Sequence, residues 1–260
     1  MLYSLCKLAI ALLSLLWVEA AYAQTNDPFP GLIGSKDNRE ILVGDKAPWN
    51  AVGRVNRAGY NRRSMCTGTL VAPDKVLTAA HCLYNPANGK VFPAGEVKFV
   101  AGLRRDVYSE LGKGKCIILS PRYSYATSAK LSESASDVAV IVLQKPMETV
   151  APFPLVKQGV QDQRLMSVGY TRERPYLLTA DRQCKLLKKT KGVWLTNCYT
   201  NFGGSGGPVL GGDEGDHYLS AVMVAVNPHK FTVAVPSSVW KPLVERAQCR
   251  QSKPEGIQPD

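Results

Sequence analysis

The chain has 260 residues, 45% of them hydrophobic, and a formal net charge of +11. That length allows one large domain or two small ones and is enough to bury a real core. The basic residues are spread along the chain, with a local cluster only at Lys185, Lys188, Lys189 and Lys191. No recognition motif accompanies them, so no specific nucleic-acid partner is expected; the charge implies solubility and a weak, salt-sensitive attraction to acidic surfaces.

In chain order, residues 1–23 read as a cleaved secretory signal. Lys7 precedes the apolar run from Leu8 to Val18, and Ala21-Tyr22-Ala23 places small residues at alternate positions. The run is too short and too near the start to favour a membrane span, and no second run follows. The mature protein is therefore expected to be secreted or periplasmic, with no stable membrane insertion. Lys7 and Glu19 cancel, so removal of the signal leaves the charge unchanged. Residues 24–40, with Pro28, Pro30, Gly31 and Gly34, read as a flexible leader open to removal as a propeptide.

From Ile41 onward, short apolar or alternating runs are divided by Gly, Pro, Asn and Asp. A first series covers residues 51–55, 69–72, 75–78, 97–101, 115–119 and 138–143. A second covers 164–170, 184–187, 193–196, 208–210, 218–226 and 232–235. Short strands at such regular spacing indicate an all-β sandwich or barrel. Residues 145–154 carry three prolines between the two series and read as a linker. One helix is expected last, over about 238–249, with Ser237 or Ser238 as its cap and Val239, Trp240, Leu243, Val244 and Ala247 as its apolar stripe. Pro242 then has to lie in the first turn, where its missing N–H has no partner to lose. Residues 250–260 are polar, with two prolines, and read as a frayed tail.

Cys6 falls in the signal, leaving Cys66, Cys82, Cys116, Cys184, Cys198 and Cys249. An even number in an exported chain suggests disulfides. Zinc is the rival reading, but there is no CxxC pair and the three His are scattered, so neither a metal nor a cofactor is expected.

Three motifs carry the chemistry. In Asn201-Phe202-Gly203-Gly204-Ser205-Gly206-Gly207-Pro208, glycines flank a serine and allow a tight turn whose backbone N–H groups converge on one spot. A serine hydroxyl becomes a useful nucleophile when a base takes its proton and donors hold the oxyanion, here the N–H groups of Gly203 and Ser205. The plain alternative is an ordinary glycine-rich turn. In Leu77-Thr78-Ala79-Ala80-His81-Cys82, small residues leave room around an imidazole whose pKa suits a general base. Cys66 supplies a nearby partner for Cys82 across a predicted hairpin; the alternative is a lone core or surface histidine. In Ser136-Asp137-Val138-Ala139-Val140-Ile141-Val142-Leu143, a carboxylate precedes an apolar strand, where it can be partly buried and still orient an imidazole. A solvated Asp at a strand start is the alternative.

In the order His, Asp, Ser these motifs resemble the trypsin/chymotrypsin family of serine proteases, from which the triad's roles are taken. The likeness runs from about Ile41 to Trp240 and includes the strand Cys66-Thr67-Gly68-Thr69-Leu70. Pro48-Trp49, Val168-Gly169-Tyr170 and Ala234-Val235-Pro236 resemble the trypsin-like enzymes exported by bacteria. The resemblance implies an all-β fold of two six-stranded antiparallel β-barrels with a C-terminal α-helix. The peptidase domain would span 41–249, with barrel one over about 41–145 and barrel two over about 154–236. It also implies a catalytic triad of His81, Asp137 and Ser205 in the cleft between the barrels, a peptide or protein substrate and a monomer. The family's histidine-loop bridge implies Cys66–Cys82. Cys184–Cys198 closes another short loop, which leaves Cys116 with Cys249 by elimination among fifteen possible connectivities.

The chain departs from the family at three places. Gly204 stands where trypsin-like members place the Asp that receives a new N-terminal ammonium, so that activation switch is not expected to operate. Tyr199 replaces the Asp of members that cut after Arg or Lys. The serine of the pocket wall falls on Val224 by ungapped counting, or on Ser220 if the intervening loop is shortened. The pocket is then expected from Tyr199, Thr200, Met223, Val224 and Ala225 and is read as uncharged or apolar. Thr200 matches glutamate-cutting relatives, but neither His217 nor His229 aligns with the histidine those enzymes use. The leading reading is a serine endopeptidase acting through an acyl-enzyme. Its rival is a cationic exported binding protein on a retired protease scaffold, and retired relatives usually lose a triad residue, whereas none is missing here.

Overall fold

The computed structural model describes residues 37–57, 65–125, 131–156, 164–227 and 230–249. The expected signal, most of the expected leader, His229 and the tail from 250 onward lie outside the described residues. Among the described residues no helix is long and apolar enough to cross a membrane.

Six strands close the first barrel: β2 (Val52–Arg57), β3 (Met65–Ala72), β4 (Lys75–Thr78), β7 (Val97–Ala101), β8 (Glu110–Leu119) and β9 (Ala139–Leu143). Their order is β2-β3-β4-β9-β8-β7, and every adjacent pair is antiparallel. In β7 burial alternates along Val97, Phe99 and Ala101, as a half-buried strand requires, whereas β9 is buried throughout. Strands β1 (Glu40–Ile41), β5 (Tyr84–Asn85) and β6 (Lys90–Val91) are short accessories.

The second barrel holds β10 (Arg164–Thr171), β11 (Arg174–Thr190), β12 (Val193–Thr196), β13 (Pro208–Gly211), β14 (Tyr218–Asn227) and β15 (Phe231–Pro236). It runs β11-β10-β13-β14-β15-β12 and closes because β11 also pairs with β12. Strand β11 can serve both neighbours because it is 17 residues long: its first part pairs with β10 and its end, from Leu186, with β12. The run expected at 184–187 is the middle of this strand. Strand β1 adds to its outer edge through Glu40 opposite Ala180 and Ile41 opposite Thr179. The end of the expected flexible leader is thus part of the second sheet.

Residues 144–156 connect the barrels along the wall of the first. Met147 N–H donates to Pro73 C=O at 2.7 Å, Phe153 N–H to Leu70 C=O at 2.8 Å, and Val150 and Phe153 are buried. The short helix α1 (Leu131–Ser134) precedes β9, and α2 (Ser237–Arg246) ends the described fold. Two expectations about α2 are corrected. Its N-cap is Pro236 with no side-chain cap bond, and Pro242 lies inside the helix, not in its first turn. A proline there costs about 3 kcal/mol. Burial of Trp240, Leu243 and Val244 opposes that cost, because α2 packs on β9 of one barrel and on β14 and β15 of the other. Lys75 Nζ adds a bond of 3.0 Å to the Val244 carbonyl.

Among the described residues three disulfides are present: Cys66–Cys82, Cys184–Cys198 and Cys116–Cys249. Cys184 and Cys198 sit in a small apolar cluster with Leu165, Val209 and Met223 inside the second barrel. Cys116–Cys249 joins β8 to the segment just after α2.

Candidate active site

Strand β4 runs into the fully buried Ala79 and Ala80, and a single 3₁₀ turn over Ala80–Leu83 then presents His81. The Cys66–Cys82 bridge ties that turn to β3. Asp137 follows α1, where Ser136 Oγ donates to Glu133 C=O at 2.8 Å and Asp137 N–H to Ser134 C=O at 3.1 Å. The carboxylate is buried and takes two bonds from one residue: His81 N–H donates to Oδ1 at 2.9 Å and Nδ1 lies 2.7 Å from Oδ2. An ionised carboxylate can only accept, so Nδ1 carries a proton, and in the neutral imidazole that leaves the lone pair on Nε2. The His81 side chain is 31% exposed.

Ser205 lies in a turn bound to both barrels. Gly206 N–H donates to Met223 C=O at 2.7 Å within the second barrel. Thr67 on β3 of the first barrel donates twice to the turn, from N–H to Ser205 C=O at 2.9 Å and from Oγ1 to Gly203 C=O at 2.9 Å. Thr67 Oγ1 also accepts Tyr170 N–H at 3.0 Å. The Cys82 sulfur lies 3.7 Å from His81 Nε2 and 3.8 Å from the Ser205 carbonyl oxygen, so histidine and serine flank one atom.

Two carbonyls of the turn are tied back. Phe202 C=O accepts Arg172 N–H at 2.7 Å, and Gly204 C=O accepts Gly207 N–H at 3.0 Å. Across a trans peptide the N–H points opposite to the C=O. The Gly203 N–H is therefore turned away from Arg172, and the Ser205 N–H away from Gly207. Gly204 N–H, between them, is spent on Asn201 C=O at 2.9 Å.

His81, Gly203 and Ser205 line one cleft of about 940 Å³. Its walls include Phe202 and a stacked pair of tyrosines, Tyr84 and Tyr125, with ring centroids 4.9 Å apart. Arg54 and Arg172 also border it, the latter with its guanidinium 4.7 Å from the Phe202 ring centre. Nothing in the sequence marked Thr67, Tyr84, Tyr125 or the two arginines. Cys66, His81 and Cys82 bring metal-type ligand atoms within 4.8 Å of one another, but the two sulfurs are bonded to each other and offer no thiolate.

Of the expected pocket residues, Tyr199, Thr200 and Met223 line a second, small cavity of about 10 Å³ together with Gly204 and Arg39. Val224 is buried and Ala225 half-buried, and neither borders that cavity or the cleft. The bond from Gly206 N–H to Met223 C=O puts Val224 next to the serine turn, while Ser220 lies beside the pairs of Val209 with Ala221 and Leu210 with Leu219, farther along β13. His217 packs its ring 5.6 Å from that of Trp49 and does not border the cleft.

Arg39 is a further residue at this site, from the segment expected to be a leader. Its side chain is 2% exposed and its guanidinium lies 4.4 Å from the centre of the Tyr199 ring. It pairs with Asp37 and with Glu173, and Arg174 pairs with Asp37 as well. Burial alone would raise the Asp37 carboxyl, but hydrogen bonds and charge from Arg39, with Arg174 behind them, hold it below its ordinary 3.8.

Known proteins share this architecture. The trypsin family matches residues 41–244. Serine protease 23 of Homo sapiens is 27% identical over 166 residues, which is 55% of this chain and 42% of that protein; the Rattus norvegicus protein gives the same figures. The chain therefore spans less than half the length of these curated relatives. A solved structure described as a Glu endopeptidase in complex with MPD superposes with a TM-score of 0.63 at 20% identity, covering 78% of this chain and 92% of that one. At that identity the likeness concerns the fold. The family match over most of the chain coincides with two closed barrels, so this chain belongs to the trypsin/chymotrypsin family of serine proteases.

Proposed function

We propose that the chain is an exported serine endopeptidase that hydrolyses peptide bonds of peptide or protein substrates through an acyl-enzyme, with His81, Asp137 and Ser205 as its triad. The observation that carries this reading is the two-point grip of Asp137 on His81, at 2.9 and 2.7 Å, in the cleft that Ser205 also lines. It holds the tautomer whose free Nε2 can take the Ser205 proton as Oγ attacks the scissile carbonyl. Negative charge then develops on the carbonyl oxygen, for which the Gly203 and Ser205 N–H groups are the proposed donors. The imidazolium gives its proton to the leaving amine, the acyl group stays on Oγ, and water repeats the sequence to release the acid. Because Tyr199 stands where Arg- and Lys-cutting members have Asp, cleavage after basic residues is not expected.

The test is labelling of the exported chain by a fluorophosphonate, beside Ser205→Ala and a known serine protease. The wild type should be labelled and the variant not. An unlabelled wild type beside a labelled reference overturns the reading and leaves the cationic binding protein in its place. In peptide hydrolysis, Ser205→Ala should lower kcat by about 10⁶-fold, since nucleophile and base act as a unit. Activity within about tenfold of wild type would rule Ser205 out as nucleophile.

A further inference from the structure

Arg39 borders the small cavity beside Tyr199 and Thr200 and not the cleft of His81 and Ser205, yet its hydrogen bonds lead to the turn that carries the proposed oxyanion donors. Its Nη1 donates to Thr171 Oγ1 at 2.8 Å and its Nη2 to Glu173 Oε1 at 2.5 Å, which grips the β10–β11 turn on both sides of Arg172. Arg172 N–H is the donor that ties back the Phe202 carbonyl at 2.7 Å. A second route leaves from the same carboxylate: Asn201 Nδ2 donates to Glu173 Oε2 at 3.2 Å, and Phe202 N–H donates to Asn201 Oδ1 at 2.8 Å. One buried cation thus holds both ends of Phe202, the residue whose carbonyl sets the direction of the Gly203 N–H.

We propose that Arg39 is a positioning residue for catalysis, anchoring the β10–β11 turn through Thr171 and Glu173 so that the Gly203 N–H stays aimed at the developing oxyanion. The inference rests on the reading of Ser205 as nucleophile. A planar guanidinium suits the task because it bonds Asp37, Thr171 and Glu173 at once in fixed directions, which a lysine ammonium cannot reproduce in this geometry. It follows that Arg39 belongs to the working protein, although the family match begins only at residue 41. A chain cut between Arg39 and Ile41 loses its anchor.

The experiment compares the exported full chain with Arg39→Ala, Arg39→Lys and Glu173→Gln in hydrolysis of one peptide substrate. Binding of a peptide boronate, whose serine adduct places an oxygen at the oxyanion position, is measured beside binding of the unreactive product peptide. For Arg39→Ala the expected result is a kcat lower by about 100-fold, the size of losing one oxyanion donor. KM should move by less than about threefold, because Arg39 does not border the cleft of His81 and Ser205. Boronate affinity should fall with kcat while product affinity does not, and added methylguanidinium should restore part of kcat. Glu173→Gln keeps the shape and removes the charge, and should lower kcat by about tenfold or more. It carries the test, with Arg39→Lys, if Arg39→Ala fails to fold. An active wild type with folded variants whose kcat stays within about threefold of it overturns this inference alone. A wild type without turnover overturns the reading of Ser205 and this inference with it.

Discussion

At Gly204 there is no room for a side chain, because Thr200 Oγ1 occupies the place a Cβ would take. Gly204→Ala therefore has to push Thr200 or shift the turn, and a shifted Ser205 N–H should lower kcat by about 100-fold. The obstruction is the end of a side chain, so adding Thr200→Ala should recover part of the loss, a coupling that steady-state kinetics of the single and double variants measures. Equal activity in Gly204→Ala and the double variant would contradict the steric account. Gly206 is a different case. It has φ of +82° and its Cβ would meet the Thr67 carbonyl as well as Thr78 Oγ1, so trimming Thr78 leaves a backbone obstacle in place. The same crowding explains what the sequence could and could not reveal. The proposed triad residues Asp137, His81 and Ser205 each stand in a local sequence pattern. Thr67 and Arg39 do not: Thr67 reaches Gly203 across 136 residues and Arg39 reaches Glu173 across 134, so no local window contains both partners.

At the scale of elements, the strand runs were legible because burial alternates or saturates with the strand period, as in β7 and β9. The connections were less so. The proline-rich stretch at 145–154 reads as a linker, but nothing in it shows how it is fastened: Glu110 on β8 accepts bonds from Glu148 N–H, Thr149 N–H and Thr149 Oγ1. Burial alone would raise the Glu110 carboxyl, but these bonds outweigh it and hold its pKa below the ordinary 4.5. A carboxyl with a depressed folded pKa contributes stability above its unfolded value and loses that contribution as pH falls through the folded value. Glu110→Gln should accordingly lower Tm by about 2–4 °C at neutral pH. The difference should shrink as pH drops below 4.5 and close once the wild-type carboxyl is protonated. A difference independent of pH, measured by thermal unfolding across that window, would show that charge is not the cause. The helix α2 teaches the converse lesson: Pro242 argues locally against a helix interior, and packing on both barrels overrides it.

At the scale of the whole molecule, two closed barrels are held together at several separate points. The Thr67 bonds to Gly203 and Ser205, the helix α2 and the Cys116–Cys249 bridge each cross from one barrel to the other or to its C-terminal extension. That bridge spans 133 residues. On the chain-entropy account a loop of that size constrains the unfolded state most, so Cys116→Ala with Cys249→Ala should cost about 2–5 kcal/mol in denaturant unfolding. An unchanged unfolding midpoint would contradict that account. The central claim is that Ser205 carries the acyl group, and mass mapping of an acyl-enzyme trapped by acid quench during turnover of a peptide ester tests it most directly. The acyl mass is predicted on the peptide containing Ser205 and to be missing from Ser205→Ala; an acyl group found on another residue, or on none while substrate is being hydrolysed, would contradict it.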